Sequence, residues 1–204
     1  MTDTQDNTEQ QILDAAYEVF LEKGMDGTRM SDIAEKAGIK RTVVNYYFRT
    51  KEKLYKKVAK LILRQAMPVM LGVLNSDMSL KEKISQFVHN YISMAQRNPF
   101  MPIYIVNEVN KLGTGFIHEL FDGNTPNVQP FIDHIQREVD AGNIRPVDPH
   151  QIILHIISLC LFPFLGKNIF MLMTKLEKDA VDSIIEARKQ EVPKLIISYL
   201  YNEQ

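Results

Sequence analysis

Apolar residues along this chain recur at intervals of three and four, and no alternating stretch stands out, so the pattern predicts helices and no strands. Ile12, Ala15, Ala16, Val19 and Phe20 fall at i, i+3, i+4, i+7 and i+8, which makes one apolar stripe on a helix over residues 8–23. Thr8 can cap its start, Glu9 suits the positive end of its first turn, and Gly24 ends it.

Two short helices follow. Thr28 can cap a helix over 29–36 by accepting from the N–H of Met30 or Ser31; Met30, Ile33, Ala34 and Ala37 then face inward. Gly38 can take the left-handed conformation that closes this helix and starts a tight turn. In a helix over 41–47, Val44 and Phe48 stand four apart and point to a core, with Val43 and Tyr47 beside them. Thr50 caps a long fourth helix that carries Leu54, Val58, Leu61, Ile62 and Leu63. Two short helices around a glycine turn, braced by a first helix, make a helix-turn-helix. In that geometry the second short helix enters the major groove of DNA.

Further helices are expected over 80–97, 100–111, 115–121, 126–141, 148–175 and 177–201. Asp148 and Pro149 are the N-cap and first position of the 148–175 helix. That helix is apolar nearly all round and must be covered on every side. Pro68 should bend the fourth helix and Pro193 the last one; Pro68 fits either a hinge or a static bend. The expected fold is all-α: a helix-turn-helix unit over 1–55, then a larger helical unit over 56–204.

The net charge of −1 gives no nucleic-acid signal, but its distribution does. Residues 1–22 hold six acids and no base, whereas residues 36–64 hold ten bases and one acid, a balance of +9. Such a patch is an electrostatic footprint for phosphate, or a solvated helix face. The one cysteine, Cys160, allows no intrachain disulfide and fits a reducing compartment. The polar, acidic start is unlike a signal peptide. The most apolar stretch, 152–166, contains His155 and Pro163 and is 15 residues long. A membrane span needs roughly 20, so a buried helix of a cytoplasmic protein is expected. The five histidines form no zinc-type spacing, and no phosphate loop, dinucleotide fingerprint or nucleophile elbow is present. Neither a cofactor nor an enzymatic activity is expected; the alternative is a small-molecule-binding protein or enzyme with an incidental helix-turn-helix.

The stretch "ILDAAYEVFLEKGMDGTRMSDIAEKAGIKRTVVNYYFRTKEKLY" resembles the N-terminal domain of the tetracycline-repressor family of transcription regulators. Ile12-Leu13, Ala15-Ala16, Phe20, Gly24, Thr28, Asp32-Ile33-Ala34, Ala37-Gly38, Tyr46, Phe48, Lys51-Glu52 and Leu54 carry the likeness, over roughly residues 8–58. The resemblance implies a homodimer that binds a near-palindromic double-stranded operator and is released by a small effector held in the C-terminal unit. It places Arg41, Thr42 and Asn45 toward the groove, where Asn can pair with adenine. Lys40, Tyr46, Tyr47 and Lys51 would meet backbone phosphates, as would Thr28 and Arg29 at the start of the second helix. Thr28 as a simple cap and Tyr46 as core are the alternatives. Lys40, Thr42, Asn45 and Tyr47 depart from residues common in the family (often Ser, Gly, Tyr and His), so the operator sequence is its own.

For the effector, Met94, Phe100, Tyr104, Phe116, Phe121, Phe131 and Phe164 are expected to line an apolar cavity, or else to be plain core. The scarcity of charge there points to an apolar effector. Ile156, Ile157, Ile184, Leu195, Ile196 and Tyr199 are expected at a four-helix dimer interface; in a monomer, other helices would cover them.

Overall fold

The computed structural model describes residues 2–123 and 126–201. Eleven helices appear among the described residues, and no strand. The first four are α1 (Thr2–Gly27), α2 (Met30–Lys36), α3 (Arg41–Tyr47) and α4 (Lys51–Leu74). The body adds α5 (Leu80–Arg97), α6 (Phe100–Leu112), α7 (Thr114–Leu120), α8 (Gln129–Asp140), α9 (Pro149–Leu165), α10 (Lys167–Thr174) and α11 (Lys178–Tyr201).

Local chemistry sets the ends. Thr8 lies inside α1 rather than opening it, and the helix breaks at Gly24, where φ is 65° and ψ 179°. Thr50 Oγ1 accepts from Lys53 N at 3.2 Å, opening α4. Ser79 and Glu82 cap α5 reciprocally: Ser79 N donates to Glu82 Oε2 at 2.9 Å and Glu82 N to Ser79 Oγ at 3.4 Å. Asp148 opens α9 by accepting from His150 N at 2.8 Å. The helix expected over 148–175 is two helices, because the chain bends by 71° between α9 and α10 at Gly166. The Phe162 ring lies over the corner: a Cβ at Gly166 would sit 2.7 Å from its Cζ, so a larger residue there would have to displace that exposed ring.

Two hydrophobic clusters hold the protein. One joins α1–α4 to α6 and α7 through Ile12, Phe20, Val44, Leu54, Tyr55, Met101, Tyr104 and Phe116. The other joins α5, α8, α9 and α11 with the end of α4 through Leu74, Ile84, Ile92, Phe131, Ile152, Ile156 and Ile196. The first cluster crosses the expected 55/56 division. Tyr55 is its hub, with ring centroids 4.6 Å from Phe20, 4.6 Å from Tyr104 and 5.3 Å from Phe100. The helix-turn-helix is therefore packed directly onto α6 and α7.

Candidate DNA-contacting face and effector cavity

The α2–α3 corner is built by Gly38 at φ 66°, with Ile39 N donating to Ala34 O at 3.0 Å. Gln11 of α1 braces it, Nε2 donating to Ala37 O at 2.7 Å. Val44 and Phe48 turn into the core, as their spacing predicts. That leaves Lys40, Arg41, Thr42, Asn45 and Tyr46 exposed on one face of α3 and its entry. Tyr46 is 75% exposed and stands edge-on to the half-buried Tyr47, centroids 5.5 Å apart, so it is not core.

Two of the expected phosphate contacts are placed differently. The Lys51 ammonium donates to Met25 O at 2.7 Å and Thr28 O at 3.0 Å, clasping the α1–α2 connection to the start of α4. Thr28 is 2% exposed and its hydroxyl donates to Gly24 O at 2.6 Å. It does not cap α2, which begins after Arg29; the Arg29 N–H instead meets Asp32 Oδ2 at 3.1 Å. That bond, with Lys23 beside it, holds the Asp32 carboxyl below its usual range. Arg29 itself is exposed.

The basic run divides in three dimensions. Lys36 pairs with Glu18 at 2.6 Å, which raises its own pKa, and lies 3.7 Å from Glu22. Lys57 reaches Glu9 at 3.4 Å, and Lys56 pairs with Glu119 near the end of α7. Lys60 and Arg64 both bind Asp122, holding its carboxyl below the ordinary range. Lys40, Arg41, Arg49 and Lys53 make no ion pair among the described residues. The uncompensated charge is thus narrowed from the whole run to the rim of α3. The acids of α1 were visible as the acidic start of the chain; Glu119 and Asp122 lie far off in sequence and gave no such signal.

An apolar cavity of about 360 Å³ lies between α4, α5, α6, α7, α8 and α9. Met94, Phe121 and Phe131 line it, together with Met67, Phe87 and Ile153. Phe100, Tyr104 and Phe116 instead belong to the cluster under the helix-turn-helix, and Phe164 to the second cluster. Tyr91 brings one hydroxyl to the wall, held neutral because burial raises its pKa. A cleft of about 530 Å³ with a mixed polar and apolar lining adjoins, between α1, α4 and α5. It is not legible along the chain, because its polar and apolar lining comes from three separate helices that meet only on folding.

Of the residues expected at a dimer interface, Ile157, Ile184, Leu195 and Tyr199 are exposed at 44%, 40%, 58% and 44%. Ile156 and Ile196, both 3% exposed, are core of the protomer, since each points from its helix into the second cluster. The exposed apolar face is larger than expected. Leu154 (56%) and Phe162 (61%) extend it along α9, and Leu172 (80%) and Met173 (78%) onto α10. These escaped notice because a helix apolar all round does not reveal which side the protomer covers.

Among the described residues, no group of three or more His, Cys, Asp or Glu could hold a metal ion, and no single helix is long and apolar enough to cross a membrane. Cys160 is fully buried, and burial pushes its thiol up to about 12. Dithionitrobenzoate should therefore release no thiolate from the native protein and one equivalent per chain after unfolding; prompt reaction of the native form would contradict this packing.

Comparison with known proteins adds to this geometry. Residues 12–58 match the family model for bacterial regulatory proteins of the tetR family. The chain is 30% identical over 152 residues to the HTH-type transcriptional regulator RutR of Escherichia coli, covering 71% of this chain and 68% of that one. It is 26% identical over 115 residues to IcaR of Staphylococcus epidermidis, the negative transcriptional regulator of the biofilm operon icaADBC, covering 56% of this chain and 62% of the relative. Among solved structures, it shares a fold with the transcriptional regulator FadR of Bacillus subtilis, solved with stearoyl-CoA. That alignment has a TM-score of 0.61 at 20% identity and covers 93% of this chain and 98% of the other.

Proposed function

The chain belongs to the tetR family of bacterial regulatory proteins and is a DNA-binding transcriptional regulator, and from that premise we infer that it is a homodimeric repressor released from a near-palindromic operator by a small apolar effector. It acts in the cytoplasm, by binding and not by catalysis. The observation that carries this reading is the exposed face of α3, with Arg41, Thr42 and Asn45 at its centre and unpaired cations around it. Arg41, Thr42 and Asn45 meet base edges in the major groove. Lys40, Tyr46, Tyr47 and Arg29 hold the phosphate backbone. Thr28 and Lys51 support this face from behind by fixing the α1–α2 connection. The DNA-contacting unit is residues 1–55, and 56–204 carries the effector cavity and the partner surface. Repression as the direction of control follows the relative named as a negative regulator.

The cavity supports an apolar effector because its walls carry almost no hydrogen-bonding groups, so a charged ligand would be desolvated without partners. Its walls include α6 and α7, the same helices that pack on the helix-turn-helix. A ligand that spreads them favours one setting of the DNA-contacting unit over another.

The test is a salt titration of operator binding. Affinity should fall steeply with salt. Arg41→Ala should cost about 1–3 kcal/mol on the operator, against a smaller loss on nonspecific DNA. Equal losses on both would remove Arg41 from base reading. No specific site at any salt would overturn the proposed function.

A further inference from the structure

The apolar cavity and the mixed cleft share a wall. Met70 and Met94 line both, and both are buried, at 4% and 9% exposure. Methionine has three soft torsions and adapts readily, so this partition can open by side-chain rotation alone. The two chambers differ sharply in chemistry. The cavity offers hydrocarbon and thioether almost alone; the cleft sets Gln10, Asp14, Gln65, Asn90, Arg97 and Asn98 among apolar side chains.

One atom at the seam stands out. Asn98 is 7% exposed and its Nδ2 donates to Met94 O at 3.0 Å, which fixes it beside the shared wall. Its Oδ1 is buried and has no hydrogen-bond partner among the described residues. Buried acceptors are nearly always paired, so an unpaired one calls for a donor.

We propose that the two chambers together hold one amphiphile: an alkyl tail in the cavity, an uncharged polar head in the cleft, and an N–H or O–H at the junction that donates to Asn98 Oδ1. This rests on the effector reading above and names the ligand's class. The head is uncharged because the cleft carries one acid, Asp14, and one base, Arg97, so its field favours neither sign. Asp14 Oδ1 accepts from Gln10 Nε2 at 2.8 Å, and Arg97 Nε donates to Ser93 O at 3.1 Å. The amides around them supply donors and acceptors alike, which suits a hydroxyl or amide head. Gln10 and Asp14 belong to α1, Asn90 to α5 and Asn98 to its C-terminal cap. The head group thus bridges the DNA-contacting unit and the body, where a bound ligand favours one orientation of the two.

The test is calorimetric titration of the full chain with three probes, each below its micellar concentration. N-dodecanoylethanolamine and 2-hydroxyethyl dodecanoate differ at the junction, where the first has an N–H and the second an ester oxygen; N-acetylethanolamine has the head without the tail. The amide should bind about tenfold tighter than the ester, the scale of one buried hydrogen bond. The tailless compound should show no binding, and Asn98→Leu should bring the amide down to the ester's affinity while leaving the ester unchanged. The comparison in the wild-type protein stands even if that variant folds poorly. Equal binding of amide and ester would overturn the proposal and leave the effector cavity standing. Failure of both tailed probes to bind would overturn the proposal and the effector reading together.

Discussion

A Leu195→Glu variant is expected to sediment as a monomer and to bind operator about a hundredfold or more weaker than the wild type, with its helix content unchanged. Leu195 is 58% exposed on α11, on a face shared with Ile184, Tyr199 and the outer side of α9 and α10. Monomers rarely leave so large a connected apolar surface in water. In the proposed dimer a two-fold partner covers it with the same surface, so each substitution enters the interface twice. An unpaired carboxylate buried there costs several kcal/mol, and two exceed what a typical dimer can absorb. Loss of the dimer separates two half-site contacts that otherwise bind as one. Because Leu195 is exposed in the protomer, the fold itself should survive. Ile156→Glu is different: Ile156 is 3% exposed within the protomer, so its substitution should lower the melting temperature before it changes assembly. A wild-type monomer on sizing, or a Leu195→Glu protein that remains dimeric, would contradict the proposed interface.

The second large effect is expected at Tyr55. Tyr55→Ala should destabilise the protein by about 3–5 kcal/mol, the usual cost of deleting a buried aromatic ring. For a chain of 204 residues that is a fall of roughly 10 °C in melting temperature. Tyr55 is 2% exposed and touches Phe20 of α1 and both Phe100 and Tyr104 of α6. Its removal loosens the seam between the helix-turn-helix and α6, the route of the proposed effector response. Effector release of operator should therefore weaken along with stability. Tyr55→Phe keeps the ring and should stay near the wild type in both. A Tyr55→Ala protein that melts and responds normally would show that the first cluster does not couple the two units.

These results bear on what could be read along the chain. The stripe of α1, the glycine turn at Gly38 and the inward pair Val44–Phe48 were all legible, because each depends on residues within one or two turns of one another. The effector cavity was legible only in part. Periodicity says that Phe100, Tyr104 and Phe116 face inward, but the protein has two interiors, and these rings enter the one beneath the helix-turn-helix. Phe131 looks the same in sequence and enters the other cluster, while Phe121 packs against the first cluster and still lines the cavity. The basic run was legible as a total and not as a distribution. Asp122, in a left-handed turn at φ 51°, meets Lys60 and Arg64 from some 60 residues away, and only folding brings it there. The bend at Gly166 is not legible because unbroken apolar character runs through the corner.

The most direct measurement is selection of bound sequences from a random double-stranded DNA library by the full chain. The expected result is enrichment of an inverted repeat, bound by two chains, whose recovery falls when Arg41 is replaced by Ala. No enriched sequence, or a single unrepeated half-site bound by one chain, would contradict the central claim.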